Sequence, residues 1–240
     1  MDQDEEWCLL RENGSTRKMR FHDYGDLYEL PGLYEQLFYE HLECASPETV
    51  ADLFGRELDR SGVDASSLSV LDVGAGNGMV GEQLAKVGAE TIVGVDIIPE
   101  AAAAAERDRP GLYDDYLVLD LTDLDDEVRD DLESRKLNAL TCVAALGFGD
   151  IPPAAFAAAY DVLSHDGWLA FSIKEDFLEE TGGSGFARLI RELVERGMVE
   201  IRAQRRYQHR LSSSGEPVHY IALVASKCRP EPAGPLAEAL

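Results

Sequence analysis

The chain has 240 residues, 45% of them hydrophobic, and a formal net charge of −24 from 46 acidic and 22 basic residues. That length and apolar share fit one globular domain with an added segment, while the charge repels phosphate backbones and argues against a long nucleic-acid substrate. No apolar run approaches the roughly 18 residues of a membrane span, and the acidic opening MDQDEEW lacks the basic start of a signal peptide, so a cytoplasmic protein without a membrane segment is expected. The four cysteines (Cys8, Cys44, Cys142, Cys228) form no CxxC pair, which fits a reducing compartment without structural zinc. Acidic excess with only five lysines suits a salt-adapted cytosol as well as an ordinary acidic protein.

Residues 1–20 mix charges without a period and read as loose, with Trp7, Leu9 and Leu10 able to form a short strand or arm. Residues 21–45 are dense in aromatics. Pro31-Gly32 turns the chain, and Leu33, Leu37, Phe38 and Leu42 recur at helical spacing. Ser46 reads as the N-cap of a further helix with Pro47 at its first position and Val50, Leu53, Phe54 and Leu58 on one face. Residues 1–60 therefore read as an N-terminal arm and helical cap, 61–229 as the main domain, and the proline-rich 230–240 as a flexible tail. From Leu68 the chain alternates strands and helices: strands near Leu68–Val73, Thr91–Asp96 and Trp168–Lys174, and helices at Pro99–Arg107, Asp123–Arg135, Ala154–Leu163 and Ser184–Arg196. Val199–His209 and Val218–Lys227 then alternate around a turn at Ser212–Gly215, predicting an antiparallel hairpin at the end of a mostly parallel α/β sheet.

The most informative stretch is Leu71–Gly81, LDVGAGNGMVG, which runs from a strand through a glycine turn into helix-forming sequence. Glycines there let backbone approach a ligand, and the helix start presents free N–H groups. Asp96, ending the next strand, can accept hydrogen bonds from both hydroxyls of a ribose. Two patterns overlap. Gly76-x-Gly78-x-x-Gly81 fits a dinucleotide fingerprint, which would make the chain a NAD-dependent oxidoreductase. That register leaves Asp72 and Gly74 without a role. Asp72-x-Gly74-x-Gly76-x-Gly78 gives a role to each.

This second pattern resembles the first motif of the class I S-adenosylmethionine-dependent methyltransferases, and the resemblance extends from Leu68 to Lys227. LDVGAGNGMVGEQL is similar to motif I, IVGVDIIPEAAAAA to the second strand and its helix, YLVLDLTDL to the third strand, LTCVAALGFGDIP to the fourth, and FAAAYDVLSHDGWLAFSIKEDF to the helix, turn and fifth strand. The first two are fairly specific; the later ones gain weight from their order. The resemblance implies a Rossmann-like seven-stranded sheet with S-adenosylmethionine as cofactor and S-adenosylhomocysteine as product. It implies cofactor contacts at Asp72, Gly74, Ala75, Gly76, Asn77 and Gly78, at the ribose-binding Asp96 with Ile97 beside the adenine, at Asp120 and Leu121, and at Ala145 after the fourth strand. The chain departs from the family where Asn138 stands in place of an acid before the fourth strand. It also lacks the Asn/Asp-Pro-Pro-Tyr/Phe signature of nucleobase or glutamine amino-methylation.

The acceptor is expected to be a small molecule, bound by Tyr24, Tyr28 and Tyr34 of the cap, Phe148 after the fourth strand and Lys174 after the fifth, each of which can equally serve packing or surface roles. His22, Tyr24 and Lys174 are candidates for a general base, although in-line methyl transfer can proceed by alignment alone. His165 lies at the strand end opposite the cofactor and is set aside. RAQRRYQHR places Arg202, Arg206 and Arg210 on one strand face and Arg205, Tyr207 and His209 on the other: a site for an anionic partner or a charged sheet edge. No cluster has metal-ligand spacing. A non-catalytic S-adenosylmethionine-binding protein and a protein- or RNA-modifying enzyme remain as alternatives.

Overall fold

The computed structural model describes residues 5–12, 14–146, 150–178 and 185–228. The proline-rich tail expected to be flexible lies outside them. Strands β1 (Trp7–Glu12) and β2 (Ser15–Arg20) form an antiparallel hairpin, followed by a short helix α1 (Tyr24–Glu29) and a helix α2 that runs from Leu33–Glu35 into a wider π-helical turn at Gln36–His41. Trp7, Leu9 and Leu10 do lie on a strand, and among the described residues up to Arg20 the chain is paired rather than loose. Cys8 and Leu10 pack with buried Met19, Phe21, Leu27, Phe38 and Leu42, a small core that the surrounding charges hid in the sequence.

Helix α3 (Ser46–Ser61) leads into the main domain: β3 (Ser69–Val73), α4 (Met79–Val87), β4 (Thr91–Asp96), α5 (Pro99–Asp108), β5 (Asp115–Val118), α6 (Asp126–Ser134), β6 (Ala139–Cys142), α7 (Pro153–Val162), β7 (Trp168–Lys174), α8 (Phe186–Glu195), β8 (Val199–Leu211) and β9 (Pro217–Lys227). The seven-stranded sheet has the order β5-β4-β3-β6-β7-β9-β8, with β3 to β7 parallel and β9 antiparallel to both neighbours. This is the predicted Rossmann-like sheet with its terminal hairpin.

The apolar runs of the strands follow from burial on both faces. Leu71, Val73, Val93 and Val95 face one core with Leu132, Phe156 and Leu189 of α6 to α8. Val70, Ile92, Ala139 and Ala170 face the other core, with Phe54 and Leu58 of α3 and Leu84 of α4. Two expectations change here. Helix α3, read as part of the cap, packs on the sheet against α4, β7, β8 and β9. Ser46 is the first helical residue rather than the N-cap, a position held by Ala45. Its hydroxyl is instead taken up by Tyr207 and His209 of β8.

Successive strands run outward from β3 toward β5 on one side and from β6 toward β7 on the other. The point of reversal lies between β3 and β6, where ligands of open α/β sheets bind at the carboxyl ends of the strands.

Candidate functional site

Two adjoining cavities occupy that position. A cleft of about 330 Å³ is lined by Gly74 after β3, Asp96 and Ile97 after β4, Asp120 and Leu121 after β5, Ala144 and Ala145 after β6, and Asp150 to Pro152 before α7. Its volume is in the range of small-molecule and cofactor pockets. Beside it, beneath the cap, lies a partly open chamber of about 60 Å³ walled by Phe21, His22, Phe38, Tyr39, His209 and Arg210. Tyr24, Tyr28, Tyr34, Gly74, Val143, Ala144, Ala145 and Asp150 line both.

The glycine turn is held from several sides. The Asp96 carboxylate accepts hydrogen bonds from the Gly76 N–H at 2.9 Å and the Ile98 N–H at 3.1 Å. Burial raises its pKa above the usual carboxylate range, opposed by the backbone N–H groups of Gly76, Ile98 and Ile97. Tyr116 donates to the Gly76 carbonyl at 2.7 Å. Gly76 has φ +55°, and a Cβ there would lie 2.5 Å from the Tyr28 hydroxyl, so the cap rests directly on the turn. At Gly74, φ +69°, a Cβ would lie 2.8 Å from Ile151 and 2.9 Å from Ala145. Neither position accepts a side chain.

Asp72 and Gly78 line neither cavity. The Asp72 side chain is buried on the α4 face of β3, where it accepts hydrogen bonds from Thr141 Oγ1 at 2.7 Å and the Tyr113 hydroxyl at 2.9 Å. Burial pushes its pKa up to about 6. Gly78 starts α4. Asn77 is buried; its amide donates to Glu35 of α2 at 3.0 Å and its carbonyl accepts from Arg109 at 3.0 Å, while Arg109 also pairs with Glu35 at 2.8 Å. Arg107 donates to the Tyr28 carbonyl at 2.9 Å. These contacts fasten the cap to the turn, and no spacing in the sequence announced them.

The three cap tyrosines sit between cleft and chamber, Tyr28 and Tyr34 with ring centroids 4.8 Å apart. Burial holds all three phenols well above their usual pKa, so they act as neutral hydroxyls. His22 also lines the chamber. Its Nδ1 lies 3.1 Å from Asp150 Oδ2, across 128 residues of chain, a partnership invisible in the sequence. Lys174 does not reach the site. It pairs with Asp176 at 3.1 Å and borders a separate surface groove with Glu175 and Ser212. Phe148 lies outside the described residues.

Bulges at Ile201/Ala203 and Gln208/Arg210 break the two-face alternation expected for β8. Arg202 and Arg205 both meet α3, at Glu57 and Asp52; Arg206 pairs with Glu175; and Arg210, buried, pairs with buried Glu6 at 2.5 Å. All four arginines are matched by carboxylates, which fits a guarded edge strand.

His209, also buried, is the residue of this strand that the sequence undervalued. Its Nδ1 lies 2.6 Å from Ser46 Oγ, which in turn contacts the Tyr207 hydroxyl at 2.6 Å, and its ring stacks on Tyr220 at 4.1 Å. Burial, with Arg210 adding, pulls its pKa down to about 3 and keeps it neutral. Among the described residues no group of three or more metal-ligating side chains occurs, and no helix is long and apolar enough to cross a membrane.

Comparison with known proteins agrees with this geometry. Residues 71–171 match the family described as methyltransferase domain. No curated protein matches the chain. Among solved structures, a Thermoplasma acidophilum protein aligns with TM-score 0.54 at 17% identity, covering 85% of this chain and 96% of its own. Magnesium protoporphyrin IX methyltransferase from Synechocystis, solved with bound S-adenosylmethionine, aligns with TM-score 0.50 at 20% identity, covering 75% of this chain and 79% of its own. At these identities the likeness is one of fold.

Proposed function

We propose that this chain, which carries a class I S-adenosylmethionine-dependent methyltransferase domain, transfers the methyl group to a small-molecule acceptor held beneath its N-terminal cap. The observation that carries the acceptor class is the partly open chamber of about 60 Å³ beneath the cap, which shares part of its wall with the larger cleft.

S-adenosylmethionine supplies an electrophilic methyl group on a sulfonium. The residues of the cleft fit it. Asp96 would accept the ribose hydroxyls, since its carboxylate lines the cleft and is fixed by the turn it faces. Ile97 and Leu121 offer apolar surface for the base, and the glycine turn at Gly74 to Asn77, which lines the adjoining chamber, would face the methionine. Asp72 would act at one remove, holding β3 and β6 together through Thr141. The cap tyrosines exclude water and align the acceptor, and alignment alone can supply about 7–11 kcal/mol of the barrier.

The matched arginines of β8 and the net charge of −24 support a small acceptor over RNA. Four free cysteines support a cytoplasmic setting. The alternative of NAD-dependent oxidation gains nothing from the family match, which is to methyltransferases. The test is release of S-adenosylhomocysteine from the purified protein with pooled small metabolites, with bulk RNA, or with protein extract. Turnover confined to the metabolite pools is expected; turnover confined to RNA or protein overturns the small-molecule assignment.

A further inference from the structure

We propose that Ser172, which lines neither cavity, is a positioning residue for the site. Its hydroxyl holds Ala144 in a left-handed backbone conformation, and that conformation sets the wall where Ala144 and Ala145 meet the glycine turn. This rests on the methyltransferase reading for what the wall borders, and deepens it by adding a residue that touches no ligand.

Three observations converge. First, Ala144 has φ +57° although it carries a Cβ. In that region the Cβ crowds the backbone, so a residue other than glycine stays there only where its surroundings hold it. Strand β6 ends at Cys142, so the sheet ladder does not fix Ala144.

Second, a buried row of hydroxyls supplies the hold. The Ala144 N–H donates to Ser172 Oγ at 2.9 Å, and Ser172 of β7 is fully buried. Ser172 also hydrogen-bonds the Tyr207 hydroxyl, which lies 2.6 Å from Ser46 Oγ, itself 2.6 Å from His209 Nδ1. Because Ser172 accepts from Ala144, its own proton goes to Tyr207, that of Tyr207 to Ser46, and that of Ser46 to His209. Each hydroxyl then gives one hydrogen bond and takes one. Ala222 of β9 pairs with Ser172 on one side and Arg205 on the other, and its small side chain lets Tyr207 reach across β9. The row crosses a core that is otherwise apolar, where a fully satisfied network is rigid.

Third, the held segment borders the site. Ala144 and Ala145 line both cavities. A Cβ at Gly74 would lie 2.9 Å from the Ala145 Cβ, so Ala145 stands against the glycine turn. Rotation of Ala144 out of the left-handed region shifts Ala145 relative to Gly74 and alters the wall on both sides. The net worth of such a hydrogen bond, about two- to tenfold in an equilibrium, is of the same order as the penalty on a left-handed alanine. Loss of the hydroxyl is therefore enough to release Ala144.

The test measures calorimetric affinity for S-adenosylhomocysteine and NMR-detected exchange of the Ala144 amide proton in the full chain. Ser172→Ala is expected to speed that exchange at least about tenfold and to raise Kd by about 3–10-fold. Ala144→Gly removes the penalty on positive φ, so in that background Ser172→Ala is expected to raise Kd by about twofold or less. A general loss of stability would not depend on the residue at position 144. Ser172→Cys keeps the volume with a weaker acceptor. It should fall between the unsubstituted chain and Ser172→Ala, and it carries the test if Ser172→Ala does not fold.

Unchanged Ala144 exchange in Ser172→Ala overturns the hold, and an unchanged Kd overturns the positioning role. Equal losses of affinity in the alanine and glycine backgrounds make Ser172 a merely structural residue and overturn the proposal. Failure of the unsubstituted chain to bind S-adenosylhomocysteine overturns the methyltransferase reading instead, while the exchange arm still decides whether Ser172 holds Ala144.

Discussion

The Asp96 carboxylate accepts the Gly76 N–H at 2.9 Å, so the acid that ends β4 and the turn that follows β3 form one unit. Asp96→Ala removes both the ribose acceptor and the brace on the turn. S-adenosylmethionine binding is expected to weaken by about 1–3 kcal/mol, the cost of losing a charged hydrogen-bonding partner. Calorimetric affinity measures it, and an unchanged Kd would place the ribose elsewhere.

Tyr28 and Gly76 define a second dependence. Gly76→Ala introduces a Cβ at positive φ and 2.5 Å from the Tyr28 hydroxyl. It should destabilise the fold by about 1–3 kcal/mol from backbone strain together with the clash. Tyr28→Phe removes the hydroxyl, so the double variant should recover part of that loss. Thermal unfolding of the two single variants and the double variant checks the coupling; strict additivity would show that the cap does not rest on the turn.

The Glu6–Arg210 pair anchors the N-terminal hairpin to β8 with both side chains buried. Glu6→Ala leaves a buried guanidinium without its carboxylate, for which about 3–5 kcal/mol is expected. Replacing both residues by apolar ones should cost much less. Chemical denaturation of both variants separates a broken pair from a lost one.

His209 links stability to pH. Its folded pKa, about 3, lies below the ordinary histidine value, so the neutral ring favours the folded state above roughly pH 6.5, and that advantage is lost as pH falls toward 3. Each pH unit across this window should remove up to about 1.4 kcal/mol. The dependence should be shallower in His209→Gln, measured by denaturation between pH 7 and about 4. Parallel profiles for the two proteins would mean that folding does not lower the His209 pKa.

The sequence made the sheet legible because its information is local. Val70 to Val73 and Ile92 to Val95 alternate between two cores and read as strands, and a glycine turn between strand and helix has few other uses. The cofactor side of the site followed from the same order. The acceptor side did not. His22 and Asp150 meet across 128 residues, and Ser46 looked like a helix cap because serine serves that role so often. Tyr113 reaches Asp72 and Tyr116 reaches the Gly76 carbonyl, roles that no sequence pattern gave either residue. Lys174 drew notice as a rare lysine at a strand end, but its neighbour Asp176 holds it at another face. The β8 arginines were read from a strict period of two that two bulges interrupt.

The most direct test is a calorimetric titration of the purified chain with S-adenosylmethionine, S-adenosylhomocysteine and NADH at low and high salt. The account predicts saturable micromolar binding of the first two and none of NADH. Binding of NADH alone would contradict it and turn the overlapping Gly76-x-Gly78-x-x-Gly81 pattern into the working motif.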